Sequence, residues 1–120
     1  MIMRNYGFVA GGAVIGVLLR YGCMLIVSEA LVLWIVNIAG SLAMGMLYAY
    51  FERFPNTQLK LLLTTGLLGS FTTFSAFSAE WLRYMLQSPL QALAYAFGMT
   101  ICCVVAAFSG DWLVKRGERA

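Results

Sequence analysis

The stretch GSFTTFSAFSAE, residues 69–80, lies inside a run that otherwise has the length and apolarity of a membrane-spanning helix, and it is wrong for one. Its first half holds glycine, hydroxyls and two adjacent β-branched threonines where a helix interior prefers Leu and Ala. Its second half sets Phe74 and Phe77 three residues apart among serines. Non-helical backbone at membrane depth is tolerated only when it is buried in protein or lines a wet cavity, because an unsatisfied peptide group is expensive in hydrocarbon. A break here therefore requires partners for the carbonyls it frees.

The surrounding chain supplies the membrane. Its 120 residues are 62% hydrophobic and 11% charged, with a mean hydropathy of +0.83, which excludes an ordinary soluble domain. A hydrocarbon core of about 30 Å takes about 20 apolar residues per helix, so the chain has room for four spans and no soluble domain. Long apolar runs fall at about residues 6–27, 31–51, 59–86 and 90–114. The connections are short: 28–30, 52–58 with its Pro55-Asn56 pair, and 87–89. The expected fold is an all-α membrane protein, a single domain over residues 1–120. Unbroken, the third run would measure about 40 Å at ~1.5 Å per residue, longer than the hydrocarbon it crosses. It is either tilted or broken, and Gly66, Gly69, Ser70, Thr72 and Thr73 favour a break near the midplane.

The N-terminal MIMRNYGFVAGGAVIGVLLRYG begins as a signal peptide does, but it is long, contains Arg20 and lacks a clean small-x-small cleavage site, so it reads as the first span. The three cysteines all lie in apolar runs and read as small buried hydrophobes. Histidine is absent, which removes the commonest general base and metal ligand. With no nucleophile beside a base and no metal cluster in view, the chain is not read as an enzyme. Glycines crowd the first two spans at positions 7, 11, 12, 16, 40 and 45, and faces such as Gly12 with Gly16 suit close helix packing.

Polar groups inside spans mark a pathway or a partner by default. The set is Arg20, Asn37, Thr72, Thr73, Ser75, Ser78, Glu80, Tyr95 and Thr100. Each has a plainer alternative: Arg20 can snorkel to the interface, Asn37 can make a structural interhelical bond, and the hydroxyls can bond their own i−4 carbonyls. Phe74 and Phe77 share one helical face and can be ordinary core, or their positive ring edges can face a small anion.

The run GLLGSFTTFSAFSAE, residues 66–80, resembles the signature of the Fluc (CrcB) family of fluoride channels, and LLRY ending at Tyr21 and NIAGS beginning at Asn37 agree with it. The resemblance covers essentially the whole chain. It implies a passive fluoride-selective channel in the bacterial cytoplasmic (inner) membrane, built as an antiparallel, dual-topology homodimer with two pores and a structural sodium ion, Na+, at its centre. By this similarity Gly69 and Thr72 give backbone carbonyls to sodium, while Phe74 and Phe77 line the pore with Asn37 beside them. Thr73, Ser75, Ser78 and Glu80 join that path, and Arg20 lies at an aqueous vestibule. The fourth-span hydroxyls fall on Thr100 and Tyr95, or after a one-residue gap near Cys103 with Tyr95. Ser70 and Phe71 stand where the family's break often has a second glycine and a smaller apolar residue.

A small proton-coupled multidrug exporter of four-span type is the alternative, although it wants a carboxylate in the first span and Glu29 lies outside that span. A third class, an assembly protein that transports nothing, needs neither Asn37 nor a break. The partners expected are fluoride, sodium, a second inverted copy and the lipid bilayer, with no nucleic acid. The charge distribution pulls against a homodimer. Six basic residues, Arg4, Arg53, Lys60, Lys115, Arg116 and Arg119, lie on the side of the termini, against Arg20 and Arg83 opposite. Such a bias predicts both termini in the cytoplasm. It fits one half of a pair of oppositely oriented homologous subunits, but the expected assembly is still the homodimer.

Overall fold

The structure, a computed structural model, describes residues 2–119 and, within them, every side chain except those of Glu29, Ala30, Glu118 and Arg119. The Glu29 and Arg119 side chains weighed above therefore lie outside the described groups. The elements are α1 (Ile2–Ile26), α2 (Glu29–Arg53), α3 (Thr57–Lys60), a π-helical stretch (Leu61–Leu68), α4 (Gly69–Phe71), α5 (Ser75–Gln87) and α6 (Pro89–Arg119), with no strand among the described residues. Among the described residues four helices are long and apolar enough to cross a membrane: Ile2–Ile26, Leu31–Arg53, Thr57–Gln87 and Pro89–Gly117. The third is assembled from α3, the π-helical stretch, α4 and α5.

Local chemistry sets the ends. Ser88 is extended, with φ −157° and ψ 118°, and Pro89 follows at the first helical position, where its missing N–H costs nothing. Pro55 disfavours helical backbone at Phe54 and so ends α2 at Arg53, and the Asn56 side chain then caps α3, Oδ1 accepting from the Leu59 N–H at 3.1 Å. Connections are tighter than the sequence suggests, with Ser88 alone between α5 and α6.

Span three is broken, as expected, but the break sits later than the glycines imply. Gly69 and Ser70 are helical, Gly69 at φ −61° and ψ −30°, and the chain leaves the helix only at residues 72–74, with Thr72 extended at φ −78° and ψ 161°. No described glycine has a positive φ. Gly66 serves packing instead. A Cβ there would strike the Val9 carbonyl, and a Cβ on Gly12 or Gly16 would strike the backbone of Leu62 or Leu67. Backbone thus lies on backbone between α1 and the first limb of span three, which is how helices associate where lipid removes the hydrophobic driving force. Gly45 and Gly110 do the same for α2 and α6, against the Ala107 and Leu42 carbonyls.

The break lets one span serve two partners. Before it, the π-helical stretch and α4 pack on α1; after it, α5 packs on α6, which also carries α2. The small core on this second side is Leu33, Tyr95 and Met99, with Trp34, Phe77, Trp81 and Tyr84 around it. Outward faces are apolar, as lipid requires: Ile26, Leu86 and Phe108 are among the exposed side chains. Charge collects at the end bearing the termini, where Arg4 Nη2 donates to Gln58 Oε1 at 3.0 Å and Lys115 pairs with Asp111 at 3.2 Å and Glu52 at 3.6 Å.

Candidate ion pathway beside the helix break

Two side chains hold the break open. Asn37 is buried on α2, and its Oδ1 accepts the backbone N–H of Thr73 at 2.9 Å. The Thr73 hydroxyl oxygen in turn accepts the N–H of Ala76 at 3.2 Å, which caps the start of α5. In a continuous helix the Thr73 amide would donate to the Gly69 carbonyl and the Ala76 amide to the Thr72 carbonyl. Both amides are diverted. The Gly69 and Thr72 carbonyls lose their helical donors in this way, and those of Ser70 and Phe71 lose theirs as well, since neither the Phe74 nor the Ser75 amide bonds back across the break. The Thr72 hydroxyl donates back to the Leu68 carbonyl at 3.0 Å, which leaves its own oxygen lone pairs unused by that bond.

Beside the break runs a groove of about 410 Å³ whose walls include Asn37, Thr72, Thr73, Phe74, Phe77 and Thr100. No charged side chain lines it. The rings of Phe74 and Phe77 lie with centroids 6.0 Å apart and planes at 32°, so the two do share a face, although Phe74 belongs to the break and only Phe77 to α5. Phe74 is 79% exposed. The groove is open along that edge. Asn37, Gly40, Ser41 and Met44 of α2 also line it, at i, i+3, i+4 and i+7, a helical stripe that the sequence reading used only at Asn37. Cys103 lines it as well, the position reached by the alternative alignment of the fourth-span hydroxyls.

The Asn37 amide is oriented by its bond to Thr73. With Oδ1 engaged by an N–H, the group Asn37 has left to offer the groove is its pair of Nδ2 donors.

A second pocket, of about 380 Å³, brings together Arg20, Thr73, Ser75 and Glu80. Glu80 is also ion-paired with Arg83, one turn along α5. The Ser75 and Thr73 hydroxyls are 3.5 Å apart, so the two pockets meet at the break, which Thr73 lines on both sides. Two expected site residues stand apart. Ser78 lines neither pocket, and Tyr95 is buried behind Phe77, its hydroxyl without a hydrogen-bond partner among the described residues.

Residues 7–111 match the family model described as CrcB-like protein, Camphor Resistance (CrcB). The chain belongs to the CrcB family. Among the relatives of this CrcB protein is one from Hyphomonas neptunium named fluoride-specific ion channel FluC, 42% identical over 95% of this chain and 98% of the relative. One of the same name from Acidithiobacillus ferrooxidans is 37% identical over 93% of this chain and 97% of the relative. A Moorella thermoacetica protein named fluoride-specific ion channel FluC 1 is 43% identical over 73% of this chain and 65% of the relative. This CrcB protein is a multi-pass membrane protein of a channel family and not an enzyme.

Proposed function

We propose that this chain is the subunit of a fluoride-selective passive channel that lets the ion leave the cell down its gradient. The observation that carries the proposal is the uncharged groove at the break, where two phenyl rings stand beside an amide whose oxygen is already engaged. A small anion entering it must give up water. Ring edges carry partial positive charge, and the Asn37 amide donors with the Thr73 and Thr100 hydroxyls offer hydrogen bonds, so the path replaces hydration without a fixed cation to trap the ion. Arg20, Ser75 and Glu80 form the vestibule on the far side of the break, where Arg20 raises the local anion concentration. The family resemblance would add Ser78 and Tyr95 to the polar track, although in the single subunit neither lines the groove or the vestibule.

The open edge of the groove at Phe74 suits closure by a second copy. The assembly proposed is an antiparallel homodimer with two pores in the bacterial cytoplasmic membrane, or a pair with a homologous, inverted subunit. Gly69 and Thr72 of each copy would hold a sodium ion at its centre, a cation that carbonyl oxygens suit. Bound there, sodium would supply charge to carbonyls left free where Asn37 and Thr73 divert the amide donors. A proton-coupled exporter is disfavoured because the groove has no carboxylate and Glu80 is paired with Arg83. The test is fluoride efflux from liposomes holding the purified protein, with no proton gradient imposed: rapid discharge supports a channel, and discharge that requires a proton gradient supports the exporter.

A further inference from the structure

A ring edge attracts an anion and a ring face repels it, so what fixes the plane of Phe77 matters as much as the presence of the ring. Phenylalanine χ2 is broad, and packing must choose the angle. Phe74 touches Phe77 at 6.0 Å between centroids but is itself 79% exposed, so it has little around it to hold that contact in place. The face of Phe77 is covered instead by Tyr95 of α6, with centroids 5.2 Å apart and planes at 19°. Tyr95 is in turn held from two sides. Tyr84, two turns along α5 from Phe77, lies 5.0 Å from it, and Trp34 of α2 meets it edge to face at 5.6 Å and 86°. Since the Tyr95 hydroxyl is buried without a partner among the described residues, ring contacts and not a polar tether set its position.

We propose that Trp34 and Tyr84, which line neither pocket, are positioning residues for the ion path: they clamp Tyr95, and Tyr95 fixes the plane in which Phe77 presents its edge to the groove. The proposal rests on the fluoride-channel function above and assigns its selectivity partly to a ring cluster outside the path.

The test compares Trp34→Leu, Trp34→Phe and Tyr84→Leu with the wild type in liposomes, measuring fluoride efflux, the preference for fluoride over chloride, and melting temperature in detergent. Freed of a contact on Tyr95, Trp34→Leu and Tyr84→Leu should each slow fluoride efflux about tenfold, roughly what one lost aromatic pair contributes. Both should also narrow the preference for fluoride over chloride, and Trp34→Phe, which keeps a ring, should recover most of both. Should Trp34→Leu fail to fold, Tyr84→Leu decides the question alone, since Tyr84 is only half-buried. Leucine variants that match the wild type in rate and preference overturn the clamp. So do variants whose slower efflux tracks a loss of folded protein while the ion preference is unchanged. A wild type that holds its fluoride gradient overturns the channel itself, a result distinct from either.

Discussion

Asn37 Oδ1 and the Thr73 amide are 2.9 Å apart, joining the second span to the break in the third through a residue whose side chain also lines the groove. Removing that acceptor strands a half-buried N–H, which costs about 1–3 kcal/mol. Asn37→Ala should therefore lower the melting temperature and abolish efflux together. Asn37→Asp keeps the acceptor but loses the amide donors and places a negative charge in an anion path. It should stay folded and fail to conduct. Melting curves read beside efflux rates separate the two effects, and an Asp variant conducting at wild-type rate would contradict the role given to Nδ2.

Phe74→Ile and Phe77→Ile retain an apolar side chain and delete the ring edge. Both should lose most fluoride efflux. Their stabilities should differ: Phe74 is 79% exposed and its replacement should leave the isolated subunit's fold intact, whereas Phe77 packs on the Leu33, Tyr95 and Met99 core and should cost about 1–3 kcal/mol. A pair of variants that melt lower yet conduct normally per folded molecule would make the rings core and nothing more.

The four spans were legible because lipid demands long apolar runs, and 62% hydrophobic content over 120 residues leaves few ways to divide them. The existence of a break was legible too, since hydroxyls and glycines cluster at residues 69–73. Its place was not. Gly66 and Gly69 read as flexible points, but Gly66 serves the approach of α1, and the chain turns where Asn37 captures an amide from thirty-six positions away, a partnership no local pattern encodes. The π-helical stretch was equally hidden, because LLLTTGLL at 61–68 has no polar face whose spacing could report a wider turn. That Tyr95, expected as a hydroxyl for the path, would be buried against the Phe77 ring was likewise hidden, because spacing along the fourth span does not report burial.

The glycines sort into two groups that a sequence cannot separate. Gly12, Gly16, Gly45 and Gly110 meet backbone across an interface, while Gly7 and Gly11 have nothing within 4 Å of an added Cβ. Alanine at any of the first four should cost about 1–3 kcal/mol through overpacking. Alanine at Gly7 or Gly11 should be neutral or slightly stabilising, by up to about 1 kcal/mol of helix propensity. Thermal unfolding in detergent checks both sets, and equal losses in the two would mean that α1 does not lie on Leu62 and Leu67.

Orientation is tested at the connection between α2 and α3. Asn56 caps α3 and is better left in place, so the reporter cysteine belongs at exposed Pro55, in a background lacking Cys23, Cys102 and Cys103. If the chain inserts both ways, roughly half the molecules should react with an impermeant thiol reagent from outside intact cells, whereas the basic-residue bias alone predicts almost none. Almost no labelling would point to a differently oriented partner subunit and rule out the homodimer.

The most direct measurement is fluoride efflux from liposomes loaded with potassium fluoride and bearing the purified protein, set beside chloride efflux from matched liposomes loaded with potassium chloride, each followed with its ion-selective electrode when valinomycin releases the charge imbalance. The channel account predicts discharge within seconds and little chloride release under the same conditions. Vesicles that keep their fluoride, or that release chloride as readily, would contradict it.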